Sequence, residues 1–332
     1  MSIIETCNKN TDNPVIEDKI RSSTHRFEQT GNTALSGYSV SINTIKQTWH
    51  SGGNTPKIEK EVAISRALEL GNIIIQPKST SDIKDNVITF YLSKDKGNYR
   101  SEISNFRPVQ IDAKSTYSFK FKATSLPKTS VLFQVREMGG SMKNLGGDRP
   151  SFSIHIKDDG TLTATTNTIN KNPLPNEPDG NTYQNKKIIL TKIEPHQFHE
   201  ITLDIVMHPD SRSIKAFVNN EVVLQYNSDF GAPDSTRFYS KLGAYVPQQK
   251  KESGISDTEI SFDDIKEEHY KYNPQEISKK INYCLMTLEN NALSEAVIAF
   301  PTGKNSMVNM IKPNSIGQLL LLGTSVISHS II

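Results

Sequence analysis

Residues 214–226 read IKAFVNNEVVLQY. Two short runs of apolar and β-favouring residues flank an Asn-Asn pair. Asparagine tolerates the positive φ of a tight hairpin turn, so the stretch predicts two antiparallel strands joined by two residues. The same signal recurs outward in both directions. In 116–122, Tyr117, Phe119 and Phe121 alternate with Ser118, Lys120 and Lys122. In 152–156, Phe152, Ile154 and Ile156 alternate with Ser153 and His155. In 201–207, Ile201, Leu203, Ile205 and Met207 fall on one face, and 259–265 forms the last candidate strand. Alternation of period two places one set of side chains on each face of a strand. Short strands separated by turn residues over 87–265 predict a β-sandwich or barrel. Residues 170–185, rich in Pro, Asn and Gly, read as a long loop.

Composition narrows the function. The chain has 332 residues, 35% hydrophobic and 22% charged. That is too polar for a multi-span membrane protein and too apolar for a disordered chain. Thirty-eight Lys and Arg face 36 Asp and Glu, which disfavours a nucleic-acid binder. Two cysteines, Cys7 and Cys284, rule out a Cys-built zinc domain and a dense disulfide scaffold. They could pair with each other or stay free. The apolar run 316–327 falls short of the roughly 20 residues that span a bilayer, so no membrane span is expected.

Three regions are expected: an N-terminal extension, 1–80, at the sandwich edge; the sandwich itself, 81–272; and an appendage, 273–332. In the first, 59–70 reads as a short helix capped by Gly71. In the last, Ile277, Ile281, Cys284, Leu285 and Leu288 follow helical spacing behind Pro274. The start of the chain shows no basic, apolar leader of the usual secretory kind.

Three segments of the sandwich carry polar faces. Arg100 and Glu102 share a face, with Ile103 opposite. Gln134 and Arg136 share a face, with Val131, Phe133 and Val135 opposite. Lys241 and Tyr245 flank Gly243, with Leu242 and Ala244 opposite. A concave sheet so lined suits an acidic, hydroxyl-rich ligand. Any half-exposed antiparallel sheet has one polar face. The residue types on three strands together, and a glycine in mid-strand that suggests close approach of a ligand or another backbone, favour a site.

The segments Tyr-Arg-Ser-Glu-Ile (99–103), Phe-Gln-Val-Arg (133–136) and Tyr-Ser-Lys-Leu-Gly-Ala-Tyr-Val-Pro-Gln (239–248) resemble, in order, three motifs of the alginate-lyase and heparin-lyase-like polysaccharide lyases. The family's patterns are R-S/T-E-L, Q-I/V/W-H and Y-x-K-x-G-x-Y. The resemblance covers about residues 85–268 and implies a concanavalin-A-like β-jelly-roll sandwich with a short helical C-terminal appendage. It also implies cleavage of a uronate-containing polysaccharide (alginate, glucuronan or a glycosaminoglycan) by β-elimination. Arg100 and Gln134 would neutralise and hydrogen-bond the carboxylate beside the acidic C5–H. Tyr245 would protonate the leaving oxygen and could also be the base. Lys241, Glu102, Tyr239 and Gln248 would bind substrate. Arg136 stands where much of the family has a histidine that acts as neutral base or orienting group. Arginine stays protonated, so His155 is the other candidate base. The resemblance also implies a secreted monomer that binds an acidic polysaccharide and requires no cofactor. Calcium occurs in related enzymes, but no acidic cluster points to it here.

Other arrangements fit less well. His196, His199 and His208 lack an acidic partner at metal-ligand spacing. Asp263–Asp264 and Glu267–Glu268 are adjacent pairs, unlike the alternate carboxylates of retaining glucanases. Gly139–Gly140 and Gly146–Gly147 lack the Lys-Ser/Thr of a phosphate loop and read as a loop over the groove. The segment 49–51 contains the only Trp, Trp49, which could stack on sugar or pack inside. Two competing expectations remain: a lectin-like module with a degenerate lyase site, and a protein-interaction module.

Overall fold

A computed structural model describes residues 4–7, 18–25, 27, 35, 37–44, 48–50, 57–79, 82–95, 97–104, 107–126, 129–139, 150–169, 183–247, 257–272, 284–287, 296–302, 305–311 and 318–321. In chain order the first elements are β1 (Ile4–Cys7), β2 (Lys19–His25), β3 (Ser39–Thr44), β4 (Thr48–His50), α1 (Lys57–Glu69), β5 (Ile73–Ser79) and β6 (Asp82–Leu92). Next come β7 (Asn98–Ser104), β8 (Val109–Gln110), β9 (Ala113–Ser125), β10 (Thr129–Met138), β11 (Phe152–Lys157), β12 (Thr161–Ile169) and β13 (Tyr183–Lys192). The sandwich closes with β14 (His199–Val206), β15 (Ser213–Val218), β16 (Glu221–Tyr226), β17 (Arg237–Tyr245) and β18 (Thr258–Lys271). Last are β19 (Cys284–Thr287), β20 (Ala296–Thr302), β21 (Asn305–Ile311) and β22 (Gln318–Leu321).

The unit Lys19–Tyr272 is a jelly-roll-type sandwich of two antiparallel sheets. One sheet runs β13-β12-β11-β10-β17-β7-β3-β4, with β8 also on β17. The other runs β16-β15-β14-β9-β18-β6-β5, with β2 also on β18. Strand β9 shows the cause most plainly. Its sequence AKSTYSFKFKATS alternates buried and half-buried side chains almost throughout, so one face enters the core. Phe119 of β9 stacks on Phe133 of the facing sheet at 5.7 Å between centroids, and Tyr117 meets Phe133 at 5.0 Å. Phe90, Phe121, Phe152, Phe238 and Phe262 belong to the same buried cluster. Each such ring removes on the order of 150–250 Å² from water, which makes this layer the main stabilising contact between the sheets.

The quoted hairpin forms as expected. Asn219 and Asn220 have φ of 51° and 67° between β15 and β16, the pairing that a two-residue turn of this hand requires. The helix expected near 59–70 is α1, and Gly71, at φ 67°, ends it by donating its N–H to the Leu68 carbonyl.

The second unit combines residues 1–18 and 273–332. It contains a three-stranded sheet, β1-β19-β22, and a β20-β21 hairpin. Part of the helical reading is corrected here: Cys284 and Leu285 fall in a strand, Cys284–Thr287, while Ile277, Ile281 and Leu288 lie outside the described residues. The apolar spacing there was too short a sample to separate a period of 3.6 from a run of strand residues. The β1–β19 register sets Cys7 opposite Cys284. No helix among the described residues is long and apolar enough to cross a membrane.

Candidate active site

The three polar faces converge on adjacent strands. Strand β17 lies between β10 and β7. Its register sets Lys241 opposite Gln134, Tyr239 opposite Arg136, and Tyr245 opposite both Val131 and Arg100. Directly opposed residues of an antiparallel pair share a face, so Arg100, Glu102, Gln134, Arg136, Tyr239, Lys241 and Tyr245 stand on one side of the sheet. The other side carries Phe133, Val135, Leu242 and Ala244 into the core.

One expectation is corrected. Val131 was grouped with the core face of β10, but the register shifts between Val131 and Phe133 on both edges of the strand. Leu132 joins the core cluster, and Val131 turns to the polar side, opposite His155 and Tyr245. A strand irregularity of this kind shifts alternation by one residue and cannot be read from periodicity.

Gly243 answers the question its position raised. Its φ is 151°, and a Cβ there would lie 2.3 Å from the Ser101 carbonyl oxygen and 2.7 Å from Glu102 Cα. What approaches closely is the backbone of β7. Glycine lets β7 and β17 draw together behind Glu102.

Glu102 is the hub. It is 1% exposed. Gln134 Nε2 donates to its Oε1. Arg100 Nε stands 2.9 Å from its Oε2 as an ion pair, at an angle that does not make a hydrogen bond. Lys241 Nζ is 4.0 Å from the same oxygen and donates to Ser41 Oγ at 3.3 Å. One buried carboxylate thus balances and orients donors from three strands. Since its Nε faces Glu102, Arg100 can turn its terminal nitrogens elsewhere, and its guanidinium lies 4.1 Å from the centroid of the Tyr245 ring. Tyr99 packs beside that ring at 6.4 Å and accepts a hydrogen bond from Asn43 Nδ2 at 3.2 Å.

The electrostatics follow from burial beside cations. Burial raises the Tyr245 hydroxyl above its usual range, while Arg100 and, more weakly, Arg136 oppose it. Tyr239 is raised by burial and opposed by Arg136. Burial lowers the Arg136 guanidinium. It also lowers the Lys241 ammonium to about 8, against the pull of Glu102. Three cationic side chains around one buried carboxylate leave this face positive, suited to an anionic polymer.

His155 lies in the same row, beyond Val131. Its Nε2 is 2.7 Å from Ser153 Oγ, and burial with Lys187 nearby lowers its pKa to about 4, so the ring is neutral at pH 7. Two strand spacings, about 10 Å, separate it from Tyr245 in the register. Residues 183–185, expected to end a loop, belong to β13, while residues 170–182, residues 140–149 and Gln248 lie outside the described residues, as do the side chains of Trp49 and His50.

Ser41, Asn43, Tyr99 and Ser153 join the site without having been singled out. Strand β3 did carry a signal: Val40 and Ile42 are buried in the core and alternate with Ser41 and Asn43. Of the three histidines near 200, His199 opens β14. Nε2 of His199 meets the Glu194 carbonyl at 2.7 Å and its Nδ1 meets Asn219 at 3.1 Å, so both ring nitrogens are occupied. No group of three or more potential ligands is found among the described residues.

Comparison with known proteins gives the site its context. A family 7 alginate lyase, A1-II', crystallised with substrate, is similar over 76% of this chain and 99% of its own, with TM-score 0.49 and 14% identity. The alginate lyase of Pseudomonas aeruginosa is similar over 70% and 97%, with TM-score 0.43 and 15% identity. That of Corynebacterium sp. is similar over 71% and 95%, with TM-score 0.44 and 14% identity. No curated protein matches the chain. Residues 19–266, most of the chain and all of the described site, match the family model for polysaccharide lyases, and the chain belongs to that family.

Proposed function

We propose that this site cleaves a uronate-containing acidic polysaccharide by β-elimination. The observation that carries the reading is the arrangement of Arg100, Gln134 and Tyr245 on one positive face, with the Arg100 guanidinium 4.1 Å from the Tyr245 ring centroid. The C5–H of a uronate is weakly acidic because the adjacent carboxylate is already negative. Arg100 pairs with that carboxylate, and the N–H of Gln134 not used by Glu102 donates to it. Both contacts strengthen as charge develops on the enolate-like intermediate. Tyr245, as phenolate, takes the C5 proton. The C4–O bond then breaks, a C4=C5 double bond forms, and the Tyr245 hydroxyl returns the proton to the leaving oxygen. No water is consumed.

Burial holds the resting Tyr245 as a phenol, so only a minor fraction is phenolate at neutral pH. The activity is therefore expected to climb with pH through the alkaline range. The test is ultraviolet absorbance of the unsaturated uronate over a panel of acidic polysaccharides. Wild type produces a rise with at least one polymer. Tyr245→Phe abolishes it, and full rate in that variant overturns the assignment. Arg136 at the motif's histidine position favours a second reading, a binding module without catalysis. That reading predicts saturable binding of a polymer and no rise in absorbance from wild type.

A further inference from the structure

We propose that a cavity at the β13 end of the sandwich is a second, non-catalytic binding site for a uronate-bearing oligosaccharide. The cavity holds about 620 Å³, within the range of small-molecule sites. Gln184 and Lys186 of β13 line it from one sheet, and Tyr226 of β16 with the neighbouring Arg212 from the other. Lys186 pairs with Thr166, and Thr166 with Phe152 of the core. Lys187 instead pairs with Thr165, in the row of Ser153, Gln134 and Lys241. Lys186 therefore stands on the reverse of the sheet from the face that carries Tyr245. Four strand spacings, about 19 Å, separate β13 from β17, so binding here is independent of elimination there.

The floor of the cavity is fixed. Arg212 is 7% exposed. Its Nη1 donates to Glu137 and to the Phe230 carbonyl, and its Nη2 to the Ala232 carbonyl at 2.7 Å. Glu137 also accepts from the Ala232 N–H at 2.6 Å and the Ser235 hydroxyl at 3.2 Å. From β12, the Thr168 hydroxyl donates to the Asp229 carbonyl at 2.9 Å, and the Ile169 N–H to the Gly231 carbonyl at 3.0 Å. A wall held from both sheets needs little ordering when a ligand binds. The rim is different. Gln184, Lys186, Ser228 and Asp229 are exposed, and among the described residues their side chains have no hydrogen-bond or ion-pair partner. The Lys186 ammonium lies 4.8 Å from the Tyr226 ring centroid, which holds it at the wall without neutralising it. Glu137 offsets Arg212, so Lys186 is the cation left for a ligand carboxylate. Asp229 accepts hydroxyl hydrogens and repels a ligand that is only anionic, while Gln184 and Ser228 both donate and accept. A ligand bearing carboxylates together with hydroxyls satisfies all four, and a uronate oligosaccharide has both.

The test titrates the full-length Tyr245→Phe protein with tetrasaccharides of mannuronate, guluronate and glucuronate, followed by amide NMR. At least one of them is expected to shift the amides of Gln184, Lys186, Ser228 and Asp229 together. Adding Lys186→Ala is expected to weaken the affinity read at those amides about tenfold, while any affinity read on β7, β10 and β17 stays unchanged. Cellotetraose supplies hydroxyls without carboxylates, and tricarballylate supplies carboxylates without hydroxyls. Each is expected to bind the cavity more weakly by about tenfold or more. Shifts confined to β7, β10 and β17, equal affinity after Lys186→Ala, or equal binding of either control overturns the proposal. So does the absence of any shift with all three uronates. A wild-type protein that makes no unsaturated product overturns elimination and leaves this second site standing.

Discussion

Glu102 is the residue on which the site's geometry turns. It orients Gln134, pairs with Arg100 and stands within 4.0 Å of Lys241, all while 1% exposed. Glu102→Gln keeps the shape but removes the charge, leaving buried cations without their counter-ion. Catalytic efficiency is expected to fall at least tenfold, about 1.4 kcal/mol of transition-state stabilisation. Both kcat and KM should move, because the donors lose direction as well as charge balance. An unchanged rate profile would remove Glu102 from its positioning role. His155 makes a separate prediction for stability. Its folded pKa, about 4, lies below the ordinary 6.5. Between these values the unfolded chain binds more protons than the folded one. Stability is therefore complete above about pH 6.5 and falls as pH drops toward 4, by on the order of 3 kcal/mol at most. Urea titrations at pH 7 and pH 4.5 should show this loss in wild type and a smaller one in His155→Gln.

At the scale of elements, the site depends on how β7, β10 and β17 are spaced. Gly243→Ala would drive a Cβ to 2.3 Å from the Ser101 carbonyl oxygen at a φ that L-residues rarely adopt. We expect a loss of roughly 1–3 kcal/mol of stability, and lower activity as Glu102 is displaced. Thermal unfolding and the elimination assay measure the two effects, and an unaltered melting temperature would contradict the close approach of the strands. Regular alternation correctly grouped Arg100 with Glu102, Gln134 with Arg136, and Lys241 with Tyr245. It misplaced Val131, because a register shift depends on pairing with both neighbouring strands. It also passed over Ser41 and Asn43, whose strand is only six residues long and carries too few alternations to stand out. The burial of Glu102 was equally hidden, since one strand's pattern says which face a side chain takes and nothing about what covers it.

For the whole molecule, the family match spans 19–266, and every described site residue lies within the unit Lys19–Tyr272. A protein limited to residues 19–272 is expected to melt cooperatively and to retain most of its activity. Loss of folding in that protein would mean that the terminal segments complete the sandwich. The hairpin at Asn219–Asn220 and the aromatic alternation of β9 made the sandwich legible, because each is a local signal with a direct physical cause. The terminal strands were not legible, because their short apolar runs fit either period. The proposed chemistry is the breaking of acidic glycan chains by elimination at Tyr245. Mass spectrometry of the products tests it most directly. Elimination leaves new non-reducing ends that lack one water relative to hydrolysis, made by wild type and not by Tyr245→Phe. Products carrying the added water, or intact polymer bound by wild type, would contradict it.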